Sequence, residues 1–88
     1  MDDEVVERVR DVISAIPEGE VLSYGEVADR AGVRSARLVG RVLAECGDGL
    51  PWHRVVRADG SPTPHLARRQ LILLRAEGVR IAKGRVVG

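Results

Sequence analysis

The chain has 88 residues, 44% of them hydrophobic, 31% charged and 2% aromatic, with 14 basic and 13 acidic side chains and a formal net charge of +1. A chain of this length buries one modest core and has no room for a second lobe, which excludes multi-domain enzymes and predicts a single domain over residues 1–88. No apolar run approaches the roughly 20 residues of a membrane span, the start Asp2-Asp3-Glu4 is the reverse of a cationic leader, and Cys46 with only His53 and His65 cannot build a disulfide or a cysteine zinc site; a cytoplasmic protein without metal or cofactor is expected.

In chain order, Val5, Val9, Val12, Ile13 and Ile16 recur at helical spacing between charged residues and predict an amphipathic helix over residues 3–16, ended by Pro17 and Gly19. Ser23-Tyr24-Gly25-Glu26 has the form of a capping box and opens a short helix through about Arg30, closed by Gly32. Ser35 caps a third helix over residues 35–46, whose end is marked by Gly47-Asp48-Gly49. Two short helices joined by Ala31-Gly32-Val33-Arg34 have the shape of a helix-turn-helix. On the third helix Ala36, Val39, Gly40 and Leu43 share one face, while Arg37 and Arg41 stand four apart on the other and Arg34 extends their row into a basic ridge.

Beyond Pro51, Val55-Val56 followed by Asp59-Gly60 predicts a short strand and a tight turn. Ser61-Pro62-Thr63-Pro64-His65 is a stiff loop. Residues 66–77, with Leu66, Leu71, Leu73 and Leu74, predict a fourth helix stopped by Gly78, and Val79-Arg80-Ile81 with Arg85-Val86-Val87 predict a hairpin around Lys83-Gly84. The sum is a mainly α chain with small β elements, arranged as a winged helix-turn-helix.

The near-neutral total conceals a segregation of charge. Residues 1–29 hold nine acids against Arg8 and Arg10, a net −7, whereas residues 30–88 hold twelve bases against four acids, a net +8. Thirteen of the fourteen bases are arginine, the side chain suited to forked contacts with phosphate and to stacking on bases, so a polyanion is the natural partner of the second part.

The run Pro51-Trp52-His53-Arg54-Val55-Val56 resembles the C-terminal domain of the O6-alkylguanine-DNA alkyltransferases, which carries Pro-Cys-His-Arg-Val at this place. The resemblance spans residues 13–78 and is supported, in the expected order, by residues 16–28 (IPEGEVLSYGEVA), Ala36-Arg37-Leu38-Val39-Gly40 and Glu77-Gly78. The family's alkyl-acceptor cysteine is Trp52 here, the substitution that marks the alkyltransferase-like proteins, and the resemblance therefore implies a winged-helix DNA-binding domain of the alkyltransferase type.

Indole has no ionisable soft nucleophile, so such a chain is expected to bind the lesion without repairing it. Cys46, six residues before Trp52, does not match the acceptor position and takes a structural or incidental role. By the resemblance, Trp52 faces the pocket for an everted base, with Tyr24, Val55 and His65 around it. Main-chain groups of Trp52 and Val55 read the guanine edge, and His65 either donates to that edge or caps the next helix. His53, Arg54 and Glu77 form a structural relay that has lost its catalytic purpose.

Because a stacked guanine cannot be enclosed, the nucleotide must be flipped out, which costs a few kcal/mol. The resemblance makes Arg37 the side chain that fills the vacated stack from the minor groove and Tyr24 the one that crowds the adjacent phosphate. Arg34, Ser35, Ala36 and Gly40 complete the DNA-binding face, the small residues letting the helix lie in the minor groove. Arg41, where the enzymes have a small residue, either adds a phosphate contact or alters how deeply the helix sits.

The expected partners are double-stranded DNA containing O6-alkylguanine and nucleotide excision repair proteins, with no membrane and the chain acting as a monomer. The alternatives are an active alkyltransferase using Cys46 and a winged-helix transcription regulator.

Overall fold

The computed structural model describes residues 2–88. Helix α1 spans Asp3–Ser14, β1 Leu22–Ser23, α2 Tyr24–Ala31, α3 Ala36–Cys46, β2 Val55–Val56, α4 Ala67–Ala76, β3 Ile81–Ala82 and β4 Arg85–Val86, with single 3₁₀ turns at Trp52–Arg54 and Pro64–Leu66. Helix–strand–helix–turn–helix followed by a strand and a terminal hairpin is a winged helix-turn-helix with a mainly helical core.

Local chemistry explains the boundaries. The Asp2 side chain accepts from the Glu4 amide at 2.8 Å, and Asp3 and Glu4 sit in the first turn of α1, where the helix dipole favours negative charge. The helix stops at Ser14, two residues short of the periodic pattern, because Pro17 drives the preceding residue, Ile16, out of the helical region. The capping box of α2 is complete: the Ser23 hydroxyl accepts from the Glu26 amide at 3.1 Å, and the Ser23 amide donates to the Glu26 carboxylate at 2.8 Å. Gly32 ends α2 at φ 70°, a left-handed conformation that glycine adopts without strain, and the Val33 amide closes the turn on the Ala28 carbonyl. In α3 the Ser35 hydroxyl accepts from the Leu38 amide at 3.4 Å.

Val9, Ile13, Val27, Val39, Val42 and Val55 are fully buried and interlock in one cluster where α1 crosses the helix-turn-helix pair. Val39 and Val42 carry the inward face of α3. Ala36 is exposed and Gly40 and Leu43 only half-buried, so the predicted stripe is rotated by about one residue. The two arginines of the acidic first segment have internal tasks. Arg8 Nε donates to the Ala31 carbonyl at 3.0 Å, and Arg10 donates to the Cys46 carbonyl and, at 3.4 Å, to that of Asp48. Each places a cation at the negative end of a helix, α2 and α3 respectively, and so ties α1 across both.

Strand β2 pairs in parallel with β1, Leu22 opposite Val55 and Ser23 opposite Val56. The intervening α2 and α3 supply the long crossover that parallel pairing requires. After β2 the chain turns at Gly60, whose amide donates to the Arg57 carbonyl at 2.8 Å while the Arg57 amide donates to Ser61 at 2.9 Å. The hairpin β3–β4, joined through Lys83 and Gly84 at φ 54° and 77°, docks here. The Val86 amide donates to the Gly60 carbonyl at 2.8 Å, and any Cβ at Gly60 would meet the Val86 carbonyl oxygen at 2.5 Å. Among the described residues no helix is long and apolar enough to cross a membrane.

Gln70, on α4, is the one fully buried polar residue among those described. Its carbonyl oxygen accepts from the Thr63 amide at 2.9 Å, and its amide nitrogen donates to the carbonyls of His53 at 3.1 Å and Val55 at 2.8 Å. One side chain thus binds the loop before α4 to the segment that carries Trp52. Gln70→Leu preserves volume but orphans these backbone groups, and the penalty for leaving buried polar groups unpaired is about 1–3 kcal/mol. Chemical denaturation should show a loss of that size, and unchanged stability would contradict this role.

Candidate nucleic-acid interface

The segment that follows Pro51 is held from below by one carboxylate. Glu77, directly after α4 and nearly buried, accepts from Arg54 Nη2 at 2.8 Å and Nε at 3.0 Å, from the Gly19 amide at 3.0 Å, and pairs with His53 Nε2 at 2.6 Å. Arg54 Nη1 reaches on to the Ile16 carbonyl at 2.8 Å. The hydrogen bonds from Arg54, helped by those from Gly19 and His53 and opposed by burial, lower the Glu77 pKa from its ordinary 4.5 to about 2. Glu77 in turn raises the pKa of Arg54. An ionised carboxylate only accepts, so His53 Nε2 carries a proton. Three segments distant in sequence, the loop after α1, the 3₁₀ turn at Trp52–Arg54 and the end of α4, meet at this group.

Trp52 stands on that turn. Its amide donates to the Leu50 carbonyl at 2.8 Å, its carbonyl accepts from the Val55 amide, and its indole meets the His53 ring edge-on, centroids 6.1 Å apart and planes at 82°. The half-buried indole forms one wall of a cleft of about 140 Å³. Gly40 and Ala44 of α3 line the cleft, Tyr24 and Thr63 close one end, and His65 and Leu66 lie at the rim. The Tyr24 hydroxyl and Thr63 Oγ1 are 2.8 Å apart. Gly40 faces the Tyr24 ring, and a Cβ there would lie in ordinary contact with it at 3.9 Å.

Across the Tyr24–Thr63 pair lies a second, wider groove of about 470 Å³, lined by Gly25, Ala36, Arg37, Arg57, Ala58 and Pro64. Arg34, Arg37 and Arg57 are exposed, and none forms a salt bridge among the described residues.

The predicted site residues therefore separate into groups. Tyr24, Trp52 and His65 share the cleft, Tyr24, Ala36 and Arg37 share the groove, and His53, Arg54 and Glu77 form one hydrogen-bonded cluster. Val55 belongs to none of them: its side chain is fully buried in the core, its amide is bound to Trp52 and its carbonyl to Gln70, because β2 runs inward beneath α4. Arg41 is not a free cation of the basic ridge, since its Nε donates to Glu45 at 2.8 Å one turn along α3. Ser35 is occupied in capping α3. Three residues beside the site were not singled out in the sequence: Thr63 and Arg57, which lie in loops, and Gln70, a polar residue in a leucine-rich helix. A basic residue immediately after a strand and before a turn was the one available hint for Arg57.

A carboxylate with a depressed pKa contributes stability that is complete above its ordinary pKa and is lost as pH falls toward the folded value. For Glu77 that window runs from about 4.5 down to about 2. Glu77→Gln should lower stability at pH 7 by at least about 1.5 kcal/mol, the scale of a charged hydrogen bond, and the gap from the unmodified protein should narrow across that window. A gap that stays constant with pH would show that the charge is not what matters.

Residues 4–79 match the family described as 6-O-methylguanine DNA methyltransferase, DNA binding domain. The DNA base-flipping protein of Escherichia coli is 46% identical over 87 residues, covering 92% of this chain and 67% of that protein. The crystal structure of the Schizosaccharomyces pombe alkyltransferase-like protein, in complex with damaged DNA containing O6-carboxymethylguanine, superposes with a TM-score of 0.83 at 34% identity over 93% of this chain and 82% of that one. The Mycobacterium tuberculosis O6-methylguanine methyltransferase gives 0.73 at 34% identity, over 94% of this chain but only 52% of that one. On this match of sequence and architecture, the chain belongs to the family of the DNA-binding domain of 6-O-methylguanine DNA methyltransferases, alongside its alkyltransferase-like members.

Proposed function

We propose that the chain recognises O6-alkylguanine in duplex DNA by enclosing the everted nucleotide in the Trp52 cleft, without transferring the alkyl group. The observation that carries this reading is an indole on the cleft wall with no thiol beside it: Trp52 lines the cleft, while Cys46, the single cysteine, ends α3 and packs against the core. Alkyl transfer needs a nucleophile that an indole does not supply. What the indole supplies is a broad apolar plate for an O6 substituent, and the absence of an attack geometry leaves the size of that substituent loosely constrained.

The surrounding residues suit the cost of eversion. Arg37, exposed on the first turn of α3, takes the place of the displaced base in the stack. Ala36 and Gly40 bring the helix backbone close to the floor of the minor groove. Tyr24, on the wall between groove and cleft, crowds the phosphate beside the target and so biases the nucleotide outward. Arg34 adds attraction for the phosphate backbone. Arg41 contributes by exchanging Glu45 for a phosphate, a small step for an exposed pair four residues apart that is worth about 0.3–0.5 kcal/mol. His65 at the cleft rim is placed for the base edge. The His53–Arg54–Glu77 cluster keeps the wall rigid, and the bound complex is presented to nucleotide excision repair proteins.

An O6-methylguanine duplex should bind at least about tenfold tighter than its unmodified twin, a difference of about 1.4 kcal/mol. Trp52→Ala should erode that preference more than it weakens binding to plain DNA. Equal affinities of the unmodified protein for the two duplexes would refute the reading, and equal losses for Trp52→Ala on both would assign the ring to the core instead.

A further inference from the structure

The groove beyond the Tyr24–Thr63 wall is lined by a guanidinium, that of Arg57, to which base eversion assigns no task. Two guanidinium groups line it: Arg37 on the first turn of α3, and Arg57 on the far side, just after β2. The first residues of two helices line it as well, Tyr24 and Gly25 of α2 and Ala36 and Arg37 of α3, both helix starts being already capped by Ser23 with Glu26 and by Ser35. Its remaining lining, Ala58, Thr63 and Pro64, is uncharged.

Arg57 is presented from a fixed point. Its amide donates to Ser61 at 2.9 Å and its carbonyl accepts from Gly60 at 2.8 Å, while the Gly60 carbonyl is held in turn by Val86 of the terminal hairpin. The nearest acid in sequence, Asp59, is committed to the Ser61 amide and hydroxyl at 3.0 and 2.6 Å and lies 4.0 Å from Arg85. The Arg57 side chain is therefore a rigidly based cation with no salt bridge among the described residues; it lines the groove that shares a wall with the cleft, and also a neighbouring hollow that holds Glu26 and Asp59.

We propose that this groove seats the sugar-phosphate backbone of the strand that carries the everted nucleotide, with Arg57 bound to a phosphodiester beside the lesion and the apolar lining against the deoxyribose. Arg57 is then a positioning residue. By fixing the backbone on one side of the Tyr24–Thr63 wall, it aligns the rotating nucleotide with the cleft on the other. The inference rests on the proposed lesion binding for its geometry. Its electrostatic content can be measured separately.

The test is Arg57→Gln, with Arg57→Lys as the charge-retaining control, measured by fluorescence anisotropy on O6-methylguanine and unmodified duplexes across a salt series. Removing one phosphate contact should weaken binding to both duplexes several-fold and reduce the slope of log affinity against log salt by about one, while Arg57→Lys keeps the slope. Phosphates of the lesion strand are then replaced one at a time by neutral methylphosphonate. A phosphate within two nucleotides of the lesion should matter to the unmodified protein and be silent in Arg57→Gln. Unchanged melting temperatures exclude misfolding, and Arg57 is exposed enough to make them the expected result. An unaltered salt slope, or full retention of every phosphate sensitivity in Arg57→Gln, would overturn the assignment even if lesion preference is intact. Loss of lesion preference in the unmodified protein, with the Arg57 slope change still present, would sink the lesion reading and leave the phosphate contact standing.

Discussion

Behind the wall of the cleft, one carboxylate ties three separate segments together. Glu77 gathers hydrogen bonds from Arg54, His53 and the Gly19 amide, and through them joins the loop after α1, the Trp52 turn and the end of α4. The turn has three residues, with the Trp52 ring partly exposed and the His53 side chain 13% exposed. With Glu77 ionised, the Trp52 wall is tied to the α1 side of the molecule, and Gln70 ties the opposing Thr63 loop to the same turn. Two polar clamps, Gln70 in the first half of α4 and Glu77 just after it, add to the hydrophobic packing that holds these segments.

This economy suits a protein whose site works by shape. A reactive centre must hold its nucleophile within a fraction of an ångström of an attack trajectory. A binding cleft must keep its walls apart, dry and rigid, and place charge where a polyanion will lie. Here Trp52, Gly40 and Ala44 form the walls, and the hydrogen-bonded cluster supplies rigidity. The charge is divided by use: Arg8, Arg10 and Arg54 bind internal acceptors, while Arg34, Arg37 and Arg57 remain free of ion pairs among the described residues. The acidic first helix lies across the back of the helix-turn-helix pair, which leaves the basic segment facing outward.

Much of the fold was legible because its helix boundaries are written in local chemistry. Ser23 and Ser35 cap the helices that follow them, Gly32 ends α2, and the hairpin forms where Lys83-Gly84 predicts it, whereas the Asp2 cap of α1 went unread. Strand β1 escaped because two residues, Leu22 and Ser23, cannot display an alternation, and its pairing with β2 is settled 33 residues away in the chain. The register of α3 was read one residue off, since alanine and glycine look apolar but fit a solvent groove as well as a core. At the site, the motif residues Trp52, His53 and Arg54 could be singled out by resemblance, whereas nothing in the motif told that the Val55 side chain belongs to the core. Gln70, Thr63 and Arg57 acquire their roles only from tertiary placement. No one-dimensional pattern distinguishes a glutamine that bridges two loops from one that faces water.

An indole in the place of a reactive sulfur, on the wall of a cleft of about 140 Å³, is what would make a detector from the scaffold of a repair enzyme. A crystal structure of the chain with a duplex containing one O6-methylguanine tests it most directly. The account requires the modified guanine to be everted, with its O6-methyl group against the Trp52 ring, the Arg37 guanidinium in the vacated stack and the methyl still attached to oxygen. A guanine that remains stacked, or a methyl group found on Cys46, would contradict it.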